Sequence, residues 1–564
     1  MQTPDTHQQV ISGIGVSPGR ASGIVVAMPD SVPEPPQGQR LGAGEDVETA
    51  VARIAAASVE VQEGLERAAA RARGEAREVL QTTALMAADP TLVTNAQDRV
   101  RELGLDPACA VWQATGTVVD QLTALGGYMA ERAGDVMDVR NRIVAVLTGR
   151  PAPGVPDPGH PFVLLARDLA PADTATLDPD HVLAIVLVDG GPTSHTAILA
   201  RSLGIPAVVG LGEGTGLAPG AHVLVDGVTG TVVLDPTEAQ VARAAELSAR
   251  VRTFDGTGRT RDGHLVPLLA NIARPDGAQA AADLGAEGVG LFRTEFCFLD
   301  REEAPSIAEQ VQEYRQVLRA FPGKKVVVRT LDAGADKPLP FLTNKDEPNP
   351  ALGIRGLRTA IRNPQVLEDQ LTAIAQATAA EDADVWVMAP MVSTPAETRM
   401  FVEHCAAHGI ATAGVMVEVP SAALQSGAIL THADFASIGT NDLTQYAMAA
   451  DRMLGDLAVL STPWQPAVLQ LVAATCSGGT AHGKPVGVCG EAAADPALAP
   501  VLVGLGVASL SMTARALPDV AAVLATVTLE ECRHLASLAL AADGPDEARD
   551  AVRAELSILA DLGL

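Results

Sequence analysis

The sequence predicts an α/β multidomain protein, in which an α/β domain carrying an inserted helical domain is followed by a (β/α)8 barrel of the TIM type. Three observations predict it. Short β-type runs broken by Gly and Pro occur at Val10–Ala27 and again from Phe162 to Leu234. Between them, from Leu41 to about Leu147, lies Ala, Glu, Arg, Leu and Val at helical spacing, with no proline before Pro90. After Arg261, apolar strand candidates alternate with helix-length, Ala-rich stretches.

Composition narrows the function classes. A chain of 564 residues holds about three or four domains. Hydrophobic residues make up 47% and aromatic ones 3%, so the cores are built from Ala, Val, Leu and Ile. A net charge of −28 argues against nucleic-acid binding and against anionic membrane surfaces, both of which want basic patches. Six scattered cysteines without Cys-x-x-Cys spacing speak for reduced thiols rather than zinc or disulfides. The polar Met1–Gln9 shows no secretory signal, and no apolar run reaches the roughly 20 residues of a membrane-spanning helix. A cytoplasmic protein without membrane insertion is expected.

In chain order, residues 1–38 and 148–235 form the expected α/β domain and 39–147 the helical insertion. Breaks near Asp89, Gly104–Pro107 and Gly126–Gly127 divide the insertion into roughly four helices. Within the α/β domain the strand candidates are Phe162–Ala166, Val182–Val188, Ala207–Val209, Val223–Val225 and Thr231–Leu234. Residues 236–262 read as a linker helix and a Gly-rich hinge, Thr253–Arg261, and 263–564 as the barrel. Its eight strand candidates are Leu265–Asn271, Gly288–Thr294, Lys325–Leu331, Val385–Met391, Gly414–Val419, Phe435–Thr440, Pro485–Cys489 and Val507–Met512. A doubly wound open sheet shares this rhythm. The barrel is favoured because polar residues gather at the C-terminal strand ends, where barrels place their active sites.

Two places carry chemistry. The stretch Val188–Arg201 reads as a strand end, a Gly-Gly turn, the capping hydroxyls of Thr193 and Ser194, and a helix closed by Gly204. It places His195 in the first helical turn, where unpaired N–H groups favour an anion. A neutral imidazole there is a nucleophile, and a phosphoryl group on it would sit among donors. At the barrel strand ends, Arg293 and Arg329 can grip one phosphate by paired N–H donors. Glu418 and Asp442 suffice for Mg²⁺ when substrate and water supply the remaining oxygens. Arg452 could meet a substrate carboxylate, and Cys489 could deliver a proton.

Gly190–Arg201, Gly-Gly-x-Thr-Ser-His-x-Ala-Ile-x-Ala-Arg, resembles the phosphohistidine signature of the phosphoenolpyruvate-utilising enzymes. Further strings extend the resemblance from about Ile11 to beyond Met512: Gly13–Gly19, Gly290–Phe296, Arg329–Asp332, Ala351–Arg358, Glu418–Pro420, Ser437–Gln445 and Cys489–Glu491. Together they resemble the enzyme I family of the bacterial phosphoenolpyruvate:sugar phosphotransferase system. The resemblance implies that a swivelling α/β domain carries the phosphorylated His195, that its helical insertion docks the phosphocarrier protein HPr, and that the barrel binds phosphoenolpyruvate and forms a homodimer. It also implies roles: Arg293 and Arg329, joined by Arg355 and Arg358, as phosphate ligands; Asn441 as a phosphate contact; Arg452 as the carboxylate contact; Glu418 and Asp442 as Mg²⁺ ligands; Cys489 as the acid that protonates the enolate to pyruvate. Pro192 departs from the family's usual arginine. Two rival readings share the fold. A phosphoenolpyruvate synthase or pyruvate phosphate dikinase would need an ATP-grasp domain, for which no stretch is long enough, and a catalytically silent regulator would not need these residues intact.

Overall fold

In the first half, apolar runs become the covered parallel strands of one sheet. The computed structural model describes residues 9–564 apart from 18, 30–31, 43, 72–74, 126, 152, 168, 170–176, 191–194, 213–215, 250–251, 300, 335–338, 344–346, 348 and 452–453. The chain divides into two compact units, Met1–Ala245 and Glu246–Leu564.

The first unit contains an eight-stranded sheet of β1 (Val10–Ser12), β2 (Ile14–Ser17), β3 (Arg20–Ala27), β4 (Phe162–Ala166), β5 (Val182–Leu187), β6 (Ala207–Val209), β7 (His222–Asp226) and β8 (Thr231–Leu234). Their order is β1-β8-β7-β3-β4-β5-β6-β2. The central β3, β4, β5 and β6 are parallel, and antiparallel strands extend both sides. Strands covered on both faces read as unbroken apolar runs, which is why β4 and β5 are visible in sequence. Alternate residues serve two cores: Phe162, Leu164, Ile185 and Leu187 face one, Val163, Ala184 and Val186 the other.

Parallel neighbours β3 and β4 are separated in sequence by α1 (Val47–Arg71), α2 (Glu75–Ala87), α3 (Pro90–Leu103), α4 (Pro107–Leu125) and α5 (Gly127–Thr148). The helices have their own apolar core, including Ile54, Val100, Val111 and Ile143. Roughly four helices were expected; the described residues fall into five helical ranges, and residues 72–74, between the first two, lie outside the described residues. Helix α3 is set by the predicted punctuation. Asp89 accepts N–H bonds from Thr91 and Leu92, Pro90 opens the first turn, and Gly104 at φ +60° closes the last. Helix α6 (His195–Leu203) follows β5 and ends at Gly204, φ +72°. Thr193 and Ser194, expected to cap it, and Pro192 lie outside the described residues.

In the second unit, β9 (Leu268–Ile272), β10 (Gly288–Arg293), β11 (Lys325–Arg329), β12 (Asp384–Ala389), β13 (Ala413–Val417), β14 (Ala436–Gly439), β15 (Val486–Cys489) and β16 (Ser509–Met512) close into a barrel. All neighbours are parallel and β16 pairs with β9, so each predicted strand is present and the open sheet is ruled out. Leu291, Val327, Met388, Met416 and Cys489, from five strands, pack with Phe435, which precedes β14, in one buried cluster.

The stretch Thr253–Arg261, expected as a hinge, is not free in the structure. Gly258 donates to Glu287 Oε1 at 2.7 Å, and Arg261 bonds the Thr526 carbonyl at 2.8 Å and Glu531 at 2.9 Å. The segment is fastened to the barrel, and the division between units falls at Ala245 and Glu246, inside α7 (Glu238–Ala249). Among the helices between barrel strands, α8 (Pro364–Ala380) lies between β11 and β12, and α9 (Thr440–Met448) follows β14 without a gap. Among the described residues no helix is long and apolar enough to cross a membrane.

Candidate active site

Because all eight barrel strands run the same way, their last residues meet at one rim. Arg293 and Arg329 end β10 and β11 and stand opposite each other in the strand register. Glu418 follows β13, Cys489 ends β15, and β14 runs directly into α9, which carries Asn441 and Asp442 in its first turn.

Arg329 is buried among carboxylates. Its Nη2 bonds Glu295, and its Nη1 lies 3.1 Å from Asp332 Oδ2 and 3.5 Å from Glu418 Oε1. Asp332 Oδ2 is shared with Arg355 Nη2 at 3.1 Å, while Arg355 Nη1 reaches Asp442 Oδ1 at 3.0 Å. Glu418 Oε2 accepts the Met391 N–H at 2.9 Å. Met391 is buried with φ +59°, a left-handed conformation that costs an ordinary residue about 1–2 kcal/mol. Four buried carboxylates thus face two buried guanidinium groups. Burial, followed by repulsion from Asp332 and Asp442, pushes the Glu418 carboxyl up to about 8. Burial alone would favour losing the protons of Arg329 and Arg355, but their ion pairs more than offset it and raise both. Burial also raises the Cys489 thiol, which donates to the Ile438 carbonyl at 3.4 Å and stays protonated near neutrality.

Among the described residues, three buried polar atoms at this rim have no partner: Glu295 Oε2, Arg329 Nε and Thr440 Oγ1. Such an atom costs about 1–3 kcal/mol unless a ligand satisfies it. The carboxylate excess fits a divalent cation, and the donor set is all oxygen, as a hard cation prefers. Among the described residues no three His, Cys, Asp or Glu side chains are arranged to hold a metal by themselves, so Glu418 and Asp442 would need oxygens from substrate and water.

The expected residues do not all gather here. Arg293 is half-buried and makes no ion pair among the described residues. Arg358 turns elsewhere, bonding Ser393 Oγ at 2.8 Å and the Gly353 carbonyl at 3.4 Å. Arg452 lies outside the described residues, as does the side chain of His195, which opens α6 in the other unit. Two cluster members were not singled out from sequence. Glu295 and Asp332 stand two and three residues after strand-end arginines, inside strings already quoted, and that spacing was the available signal. Gln370 gave no signal. From α8 its Nε2 donates to Thr294 Oγ1 and to the Tyr314 hydroxyl, both at 3.0 Å, and its Oε1 accepts the Leu331 N–H at 2.8 Å. It ties the end of β10 to the end of β11. Cys297 is buried and its thiol is pushed up to about 12, which makes it inert.

A parallel barrel whose rim pairs buried arginines with an excess of carboxylates is the class of fold and site suited to an enzyme acting on a phosphorylated anion. Three family models of the phosphoenolpyruvate-utilising enzymes match the chain: the N-terminal domain over residues 12–132, the mobile domain over 158–230 and the phosphoenolpyruvate-binding domain over 248–529. Relatives named phosphoenolpyruvate-protein phosphotransferase include one from Streptomyces coelicolor, 51% identical over 98% of this chain and 100% of its own length. Another from Haloferax volcanii is 41% identical over 95% and 97%, and one from Bacillus subtilis 35% over 90% and 92%. The chain belongs to the phosphoenolpyruvate-protein phosphotransferases, the enzyme I family of the phosphotransferase system.

Proposed function

We propose that the chain takes the phosphoryl group of phosphoenolpyruvate onto its own His195, releases pyruvate, and passes the group to a histidine of the phosphocarrier HPr, the first step of sugar uptake. The observation that carries this reading is the buried rim of Arg329, Arg355, Glu295, Asp332, Glu418 and Asp442, with polar atoms left for a ligand, in a chain whose other unit begins a helix at His195.

Arg293, Arg329 and Arg355 hold the phosphate, with Asn441 beside it, and Arg452 holds the carboxylate. Arg358, turned toward Ser393, is placed to steady the loop rather than to touch the phosphate. Glu418 and Asp442 would hold Mg²⁺, which when bound neutralises phosphate charge and favours departure of the enol oxygen. His195 attacks phosphorus in line, the bond from phosphorus to the enol oxygen breaks, and its electron pair stays on that oxygen. The Cys489 thiol then gives its proton to the methylene carbon, and the thiolate recovers a proton from solvent. One imidazole serves two partners in turn, so the unit that bears it alternates between the barrel and the carrier, whose docking we assign to the α1–α5 insertion. Leu352, Ile361 and Leu424, 69%, 75% and 72% exposed in the segments that follow barrel strands, offer apolar surface for a homodimer.

Incubation with phosphoenolpyruvate labelled in phosphorus tests the reading. The wild-type chain is expected to take up acid-labile label, release pyruvate and pass the label to HPr, and His195→Ala to take up none. Label retained by His195→Ala, or uptake from ATP, overturns it.

A further inference from the structure

We propose that a cavity entered from the floor of the barrel, the end opposite the rim, is the route by which Cys489 regains its proton after each turnover, with the Ser437 hydroxyl as the last relay; this rests on the function proposed above. The interior of a closed eight-stranded barrel is ordinarily filled by bulky side chains. Here one side is filled, by Leu291, Val327, Met388, Met416 and Phe435. The other side is built from small residues. Ser437 of β14, Gly487 of β15 and Ser509 of β16 stand in register with one another, and two residues further on Gly439, Cys489 and Ser511 do the same. Residues two apart in a strand share a face, so the first trio lies directly beneath Cys489.

The cavity is lined by Ser437, Gly487, Ser509, Ser511, Gly290 and Lys325. It has about 20 Å³ open to the centres of water-sized molecules, more than the roughly 10–15 Å³ that one water needs. Solvent reaches it. Val486 and Val488 are buried in the core outside the strands, so Gly487 between them faces inward, yet Gly487 is partly exposed. Pro485, just before β15, is exposed, and Lys325 and Ser509, which begin β11 and β16, are partly exposed, which puts the mouth at the floor. At the upper end Ser437 and Ser511 are buried, and the Ser437 hydroxyl donates to the Cys489 sulfur. A hydroxyl accepts one proton while giving up another, so Ser437 joins the cavity to the thiol. Once Cys489 has protonated the enolate, its thiolate takes the Ser437 proton and the serine oxygen takes one from a water in the cavity. The hydroxide left behind is neutralised by bulk solvent. The rim need then admit no water while the enolate is held there.

The test follows pyruvate release by the full chain, given phosphoenolpyruvate, Mg²⁺ and an excess of HPr, through the first turnover and into the steady state. The first turnover uses the proton already on Cys489, and every later one needs a new proton. Ser437→Val is expected to release the first equivalent at the wild-type rate and then to turn over about tenfold or more slowly, with a larger slowing in heavy water than wild type shows. Threonine has the shape of valine but keeps the hydroxyl, so Ser437→Thr is expected to stay within about threefold of wild type. Ser509→Leu fills the cavity away from the thiol and is expected to give the same slow phase. An undiminished steady state in either Ser437→Val or Ser509→Leu overturns the inference while leaving the proposed function in place. A first turnover slowed as much as the later ones also overturns it, since Ser437 would then only hold the thiol in position. A folded wild-type chain that releases no pyruvate, or stops after one equivalent with HPr present, overturns the function, and the inference with it.

Discussion

Arg293 and Arg329 face each other across β10 and β11, but they are held in different ways. Arg329 neutralises Glu295, Asp332 and Glu418 in a buried setting, whereas Arg293 is half-buried and has no ion pair among the described residues. Replacing Arg329 by methionine leaves several buried carboxylates without their cation, and is expected to lower stability by about 3–5 kcal/mol. Arg293→Met is expected to stay within about 1 kcal/mol of wild type. Both are expected to lose phosphoryl uptake. Urea unfolding beside label uptake separates the two effects, and equal stability losses would contradict the ion-pair assignment.

Strand β11 shows how one element divides its labour between its ends. Arg329 closes it at the rim, while Lys325 opens it at the opposite end with its Nζ 3.7 Å from the centre of the Trp386 ring. Burial pushes the Lys325 amine down to about 8, against the opposing pull of Asp384. A lysine lowered in the folded state binds its proton better when unfolded, so it weakens the fold below about 8. That penalty fades as pH climbs toward the ordinary lysine value of about 10.4. Lys325→Met is therefore expected to raise the melting temperature at pH 7 and to lose that advantage by about pH 10.5. Thermal melts across this range check it. The strand itself was legible in sequence because a barrel strand is an apolar run, and its final arginine was legible from the strand-end rule. Its boundary shifted by two residues: the run was read as strand to Leu331, whereas the strand register ends at Arg329, with one more backbone bond from the Thr330 N–H to the Met388 carbonyl. Gln370 was not legible. Its role comes from the partners it finds in three dimensions, and no periodicity records that. The fastening of Gly258 and Arg261 was hidden for the same reason, because glycine content speaks of freedom while the bonds to Glu287 and Glu531 remove it.

At the scale of the molecule, two compact units each have their own apolar clusters. Calorimetry on the full His195→Ala chain is expected to show more than one unfolding transition. Phosphoenolpyruvate with Mg²⁺ should shift only the barrel's, by about 2.7 kcal/mol at a hundredfold excess over Kd. Equal shifts in every transition would mean that the units unfold as one. The left-handed backbone at Met391, which aims an N–H at Glu418, sets a bargain for the whole chain. Glycine there would relax the turn and add heat tolerance, while letting the Glu418 carboxylate wander. Selection for survival in hot surroundings and selection for a firmly aimed carboxylate therefore pull that codon in opposite directions.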